Sequence, residues 1–290
     1  MIAVAGSNGH TGRAVAEALI AAGTRIRVIV RDKDKGVEWR DRGQDVAVAS
    51  LDDATALTKA LEGVSAAYLL VPPAYAAPDL LAAQRPVVDA IAEAVRRSQI
   101  GHAVFLSSVG ADKASGTGPV ATLRAAEQAL KATGRPVTLL RAPFFLENWV
   151  PVLSVAVAQG ILPSVMALDV PLETASAIDI GREAARLLLG PAPTGVRLVE
   201  FGGPTPLTPL QVAAALSGPA GHPVKAVQVP FDQVAPGMKA AGFSDDSIRL
   251  FGEMYEGIAS RRFDYERASS PDARGTLTPA AALGPFMART

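Results

Sequence analysis

The residues with the plainest chemical purpose are three glycines at the start of the chain. Gly6, Gly9 and Gly12 stand three apart in Gly6-Ser7-Asn8-Gly9-His10-Thr11-Gly12, directly after the apolar run Met1 to Ala5 and before a helical pattern from Arg13 to Ala22. A strand, a glycine turn and a helix start make an anion site: backbone N–H groups stand free of side chains, and the positive end of the helix macrodipole lies behind them. A pyrophosphate suits such a turn. Gly6 is expected to let the chain reverse after the strand, Gly9 to remove the Cβ that would meet the phosphates, and Gly12 to let the helix lie close on the strand. The G-x-x-G-x-x-G spacing is one residue away from the G-x-G-x-x-G form of dinucleotide folds, and small-residue turns also occur where nothing binds.

Arg25 to Val30 predicts a second strand, whose end should meet the adenosine ribose. An acid there would accept from the 2′-hydroxyl and select NAD. Here stands Arg31, with Lys33 and Lys35 behind it. A guanidinium can donate two parallel hydrogen bonds to a phosphate, so the expected cofactor is NADP(H) in preference to NAD(H). Asp32 and Asp34 keep open a second reading, a solvated charged turn.

The elements that must position these groups alternate in the rhythm of a parallel sheet. Further strands are expected at Asp45 to Ser50, Ala66 to Val71, Ala103 to Leu106 and Val137 to Leu140, and helices at Ala54 to Glu62, Asp79 to Ser98 and Pro119 to Thr133. Parallel strands joined by right-handed crossovers put their carboxyl ends on one edge, where ligands bind in open α/β sheets. The expected fold is therefore a Rossmann-type, doubly wound α/β sheet over residues 1–143. A smaller C-terminal α/β lobe over 144–290 should carry the substrate, with some segments returning to the main sheet. In that half helices are expected at 145–159, 179–189, 208–217 and 244–259, strands near 196–201 and 224–229, and a lid within 230–265.

Composition narrows the function classes. The chain has 290 residues, 49% of them hydrophobic, with a formal net charge of zero and no basic run, which gives no electrostatic pull toward nucleic acid or an anionic membrane. It has no cysteine and three scattered histidines, which excludes thiolate chemistry and argues against a metal site. A fold that begins at residue 1 leaves no room for a signal peptide, and no apolar run reaches membrane-spanning length. A cytoplasmic protein, monomeric or homodimeric, is expected.

Several stretches together resemble the NmrA-like branch of the atypical short-chain dehydrogenases/reductases, nearest to its bacterial NADPH-dependent quinone oxidoreductases. They are the glycine turn, Arg31 with Lys35, Phe105-Leu106-Ser107-Ser108-Val109-Gly110, Glu127 ahead of Ala132-Thr133-Gly134, and Thr138 to Asn148. A weaker likeness runs through Ala177-Ile178-Asp179-Ile180 and Phe201-Gly202-Gly203-Pro204. The resemblance implies that Gly6, Asn8, Gly9, His10, Thr11, Gly12, Arg31 and Lys35 bind the diphosphate and 2′-phosphate. It also implies that Val71 and Pro72 lie along the nicotinamide ribose and that Pro143 and Phe144 begin a wall, running to Asn148, around the nicotinamide and substrate. The chain departs from the pattern twice. Ser50 stands where relatives often hold the adenine amino group with an aspartate, which passes that contact to the backbone beside Leu51 or to Asp52. Thr122 and Leu123 stand where many relatives carry a lysine.

Ordinary short-chain dehydrogenases pair a tyrosine with a lysine four residues on, to pass a proton to a carbonyl oxygen. Tyr68, Tyr75, Tyr255 and Tyr265 are followed at that spacing by Pro72, Asp79, Ala259 and Ser269, so the dyad is absent. An acceptor that needs little acid catalysis is expected: a quinone, whose hydride adduct is a stabilised anion that solvent can protonate, or another conjugated carbonyl or electron-poor aromatic. The family also contains non-catalytic NAD(P)-binding redox sensors, and the missing dyad keeps that alternative open. The catalytic candidates are Ser108, Asn148 and Tyr75. Ser107 and Ser108 at a strand end either bind substrate or satisfy local backbone. Phe144, Phe145 and Trp149 either stack a flat substrate or pack a hinge. His10 either donates a proton near the cofactor or faces solvent, and His102 and His222 are expected to be structural.

Overall fold

The computed structural model describes residues 1–267 and 270–288. Among them the first half of the chain runs β1 (Ile2–Ala5), α1 (His10–Ala21), β2 (Ile26–Val30), α2 (Val37–Asp41), β3 (Asp45–Val48), α3 (Ala54–Ala60), β4 (Ala66–Leu69), α4 (Leu80–Arg97), β5 (His102–Ser108), α5 (Val120–Lys131) and β6 (Val137–Ala142). The second runs β7 (Phe144–Phe145), α6 (Leu153–Gln159), β8 (Ile161–Ser164), β9 (Thr174–Ala175), α7 (Ala177–Leu189), β10 (Val196–Gly202), α8 (Pro209–Ala220), β11 (Lys225–Gln228), α9 (Phe231–Ala240), α10 (Asp245–Ala259), β12 (Ala273–Arg274) and α11 (Pro279–Met287).

The main sheet has eight parallel strands in the order β3-β2-β1-β4-β5-β6-β10-β12. Strands β1, β4 and β6 are buried along their whole length, as continuous apolar runs must be when helices cover both faces. On one face Val4, Val28, Tyr68 and Leu140 pack beneath α1 and α7; on the other Ala5, Leu69, Phe105 and Leu139 pack beneath α3, α4 and α5. Helix α7 lies very close on α1, because a Cβ on Gly181 would stand 2.4 Å from the Ala14 Cβ. The chain builds β1, β2 and β3 outward, then crosses back to place β4 on the other side of β1. The crevice at that reversal lies at the carboxyl ends of the strands.

Three elements of the second half, α7, β10 and β12, therefore join the layers of the main sheet, and α10 packs on the first half beside Tyr75 and Leu80. Residues 146–152, α6, β8, α8 and α11 pack a separate core of Leu146, Trp149, Leu153, Leu162, Val212, Leu216 and Leu283, with β8 and β11 paired in parallel. The helix expected at 145–159 is divided. Residues 146–152 form a tighter 3-10 segment containing Pro151, which lacks the N–H an α-helix needs there, and α6 begins only at Leu153. Strand β5 runs two residues past its expected end and carries Ser107 and Ser108 within it.

Candidate active site

In the glycine turn each glycine has a distinct geometric reason. Gly6 has φ +66°, a left-handed conformation that side-chain residues rarely adopt. A Cβ on Gly12 would stand 2.2 Å from the Gly6 carbonyl oxygen, so α1 can approach β1 only without it. Gly9 needs neither: its φ is −95°, and an added Cβ would come no nearer than 3.4 Å to the protein. What the missing Cβ leaves there is room for a ligand. Helix α1 begins at His10, three residues earlier than the apolar pattern implies, with no side chain capping it. Among the described residues the amides of His10, Thr11 and Gly12 have no acceptor, whereas the Gly9 amide is spent on the Gly6 carbonyl at 2.9 Å. The His10 ring turns away toward α11, edge-on to Phe286 at 5.7 Å.

The cations stand beside this turn at the ends of the neighbouring strands. Arg31, Lys33 and Lys35 follow β2, are exposed, and form no ion pair among the described residues. The Asp32 carboxylate is occupied within the loop, accepting from the Asp34 and Lys35 amides. Asn8, expected at the diphosphate, has its side chain committed elsewhere. Its amide donates to the Lys35 carbonyl at 2.8 Å, and its carbonyl accepts from Trp39 Nε1 at 3.0 Å. Trp39 is fully buried, with the guanidinium groups of Arg13 and Arg42 over its ring at 5.2 and 4.8 Å. Asn8 and Trp39 thus clasp the cationic loop to the glycine turn. Leu51 and Asp52 lie in the turn after β3, half-buried and exposed respectively. The free amides, the space at Gly9 and the unpaired cations fit a phosphorylated dinucleotide.

At the carboxyl ends of β4, β5 and β6 lies a cavity of about 290 Å³. Val71, Ser108, Pro143, Phe144 and Asn148 line it; Pro72 does not, its carbonyl accepting from Gln84 Nε2 at 2.9 Å. Phe251, Met254 and Ile258 of α10 roof it, with Phe263 beyond. The roof is tied down: Tyr75 stacks on Phe243 at 4.8 Å, its carbonyl accepts from the Ser244 amide, and Asp246 accepts from the Leu80 amide.

The three catalytic candidates all line the cavity, in different settings. The Tyr75 hydroxyl belongs to that aromatic cluster, and burial raises its pKa. Ser108 Oγ donates to the Val109 carbonyl at 2.9 Å. Asn148 is exposed at the cavity wall, and its amide makes no hydrogen bond among the described residues. Ser107 is spent on structure, donating to Glu127 at 2.7 Å. Burial works to raise the Glu127 pKa, but hydrogen bonds from Arg141 and Ser107 outweigh it and hold the carboxyl below its ordinary value. Phe144 lines the cavity and meets Trp149 edge-on at 5.3 Å.

A model of the NmrA-like family matches residues 1–262. The chain belongs to that family. Its relatives include the NAD(P)H azoreductase of Xenophilus azovorans, 26% identical over 255 residues that cover 88% of this chain and 86% of that one. Another is a (4-alkanoyl-5-oxo-2,5-dihydrofuran-3-yl)methyl phosphate reductase of Streptomyces griseus subsp. griseus, 27% identical over 244 residues, covering 83% and 81%. The crystal structure of the NADPH-dependent quinone oxidoreductase 2 of Escherichia coli complexed with NADPH superposes with a TM-score of 0.74 at 24% identity, covering 97% of each chain.

Thr122, one of the two departures from the resemblance, forms a neutral bridge: its Oγ1 donates to Gln84 Oε1 at 2.8 Å, and Gln84 donates to the Pro72 carbonyl. Gln84, Trp39, Glu173 and the α10 residues are the site members that sequence reasoning missed. The spacing of Phe251, Met254 and Ile258 on one helical face signals burial, but the sequence does not say against what. Nothing local marks Trp39 or Glu173.

Proposed function

We propose that the protein is an NADPH-dependent reductase whose acceptors are quinones or other flat conjugated molecules. The observation that carries this reading is an aromatic cavity at the carboxyl edge of the sheet, flanked by Val71, Pro143 and Phe144. A redox sensor without a substrate needs no such room. Gly6, Gly9 and the amides of His10, Thr11 and Gly12 would hold the diphosphate, with Arg31, Lys33 and Lys35 on the 2′-phosphate. The adenine would lie by Leu51 and Asp52. When bound, the reduced coenzyme supplies a hydride. The protein's own part is to orient and to exclude water: the rings of Tyr75, Phe144, Phe145, Phe251 and Phe263 line the space a planar acceptor would take, and α10 covers it. No lysine, arginine or histidine stands among the described lining residues, and the acceptors proposed are those that solvent can protonate after reduction.

The azo and quinone substrates named for two relatives are consistent with this demand. The test is to follow NADPH absorbance with purified protein and a panel of quinones and enones. Turnover of quinones is expected. Tight NADPH binding with no turnover of any acceptor would favour the sensor.

A further inference from the structure

The charges around the cavity are one-sided. None of the described residues that line it is lysine, arginine or histidine; the one ionisable acid among them is Glu173. Its side chain is 19% exposed and both carboxylate oxygens pair with Arg274, at 3.0 and 3.3 Å; Arg274 is not a lining residue, so of the pair only the acid borders the cavity. A second, independent source lies behind the floor. Ser107 lines the cavity and donates to Glu127. Glu127 and Glu200, each with a side chain 2% exposed, share one buried guanidinium, that of Arg141, also 2% exposed. Glu200 accepts from the Glu266 amide at 2.7 Å, and Glu266 and Asp112 add further carboxylates on Arg141. The buried members carry one more negative than positive charge. Charges there are little screened by salt, whereas the balancing Lys131 and Arg267 are half-exposed and better solvated.

We propose that this cavity selects its acceptor by charge: it takes neutral and cationic flat aromatics and rejects anionic ones, with Glu173 as the residue that sets the discrimination. This deepens the reductase reading and rests on it for the word acceptor. An anion entering the cavity loses its hydration and finds no cationic side chain among the described lining residues to pair with. A delocalised cation meets Glu173 and aromatic faces, which attract it through their quadrupoles. Cationic acceptors also ask no proton of the site, since a cation that gains a hydride is already neutral. The Streptomyces relative named for a phosphate ester would need a cation that this cavity lacks.

The test uses three bicyclic probes of similar size: 1,4-naphthoquinone, its 2-sulfonate, and N-methylquinolinium. Binding is titrated calorimetrically on the coenzyme-free protein and again with NADP⁺ present. N-methylquinolinium should bind about ten-fold or more tighter than the sulfonate, a ratio set by a unit charge a few ångströms from a partly offset carboxylate. Glu173→Gln should narrow that ratio several-fold and leave naphthoquinone within about two-fold. Arg274→Gln, which unpairs the acid at a partly exposed position, should widen it. Equal binding of all three probes, or a ratio that neither substitution moves, would overturn the proposal. Because binding is read without turnover, its failure is separate from failure of the reductase reading, in which no quinone would be reduced.

Discussion

Arg31→Ala tests the assignment of the coenzyme's phosphate most directly. Arg31 is exposed at the end of β2 and pairs with nothing among the described residues, so its loss should change folding stability by no more than about 0.5 kcal/mol. A 2′-phosphate carries between one and two negative charges, and hydrogen bonds to charged partners are each worth about 1.5–3 kcal/mol. Exposure puts the effect at the low end, and Lys33 and Lys35 retain part of the attraction. A loss of about 1.5–2 kcal/mol follows, which weakens NADPH roughly 10- to 30-fold. NADH, which lacks the phosphate, should bind as before. The assay is a fluorescence titration of both coenzymes, with competition by adenosine 2′,5′-bisphosphate and a thermal melt as the control for folding. An unchanged NADPH/NADH affinity ratio in a normally folded variant would refute the reasoning and move the phosphate away from this loop.

Two further outcomes follow from the turn and from the far end of the sheet. Gly9→Val should fold, since its backbone is extended and a Cβ meets nothing closer than 3.4 Å, but lose NADPH. Gly12→Ala should unfold or lose several kcal/mol because of the 2.2 Å clash. Circular dichroism and NADPH titration separate the two, and a Gly9→Val protein that binds NADPH normally would contradict the ligand-space argument. His102 opens β5 at the edge remote from the site, with Nε2 2.9 Å from Thr138 Oγ1. Burial, aided by the Arg197 charge, lowers its pKa from 6.5 to about 4. The unfolded chain therefore binds a proton between those values that the native state refuses. Stability should be full above pH 6.5 and decline as pH falls toward 4, by at most about 3 kcal/mol. His102→Asn should shrink the drop in urea midpoint between pH 7 and pH 4.5; an undiminished drop would show that another group is responsible.

The sequence by itself determined what depends on neighbours along the chain. The alternation of apolar strands with amphipathic helices specifies a parallel sheet. Gly6 and Gly12 are legible because backbone conformation and close helix approach demand them. The absence of a tyrosine-lysine dyad needs no structure at all. The order of elements then puts every strand's carboxyl end on one edge, which is why Val71, Ser108, Pro143 and Phe144 could be placed near one another in advance.

Only the tertiary structure decided what meets across large separations. Asn8 looks like a phosphate ligand in sequence, but Trp39, 31 residues away, and the Lys35 carbonyl take its side chain. The cavity has a roof because the chain returns in α10 and ties itself to Tyr75 and Leu80, contacts that no local pattern encodes. Glu173 lines the cavity in a pair with Arg274, 101 residues away, because the chain returns beside β9 in β12. Side-chain pairing in a folded protein is set by where the backbone returns. Residue type and spacing reveal the groups that can do chemistry, and packing selects which of them are left free to do it.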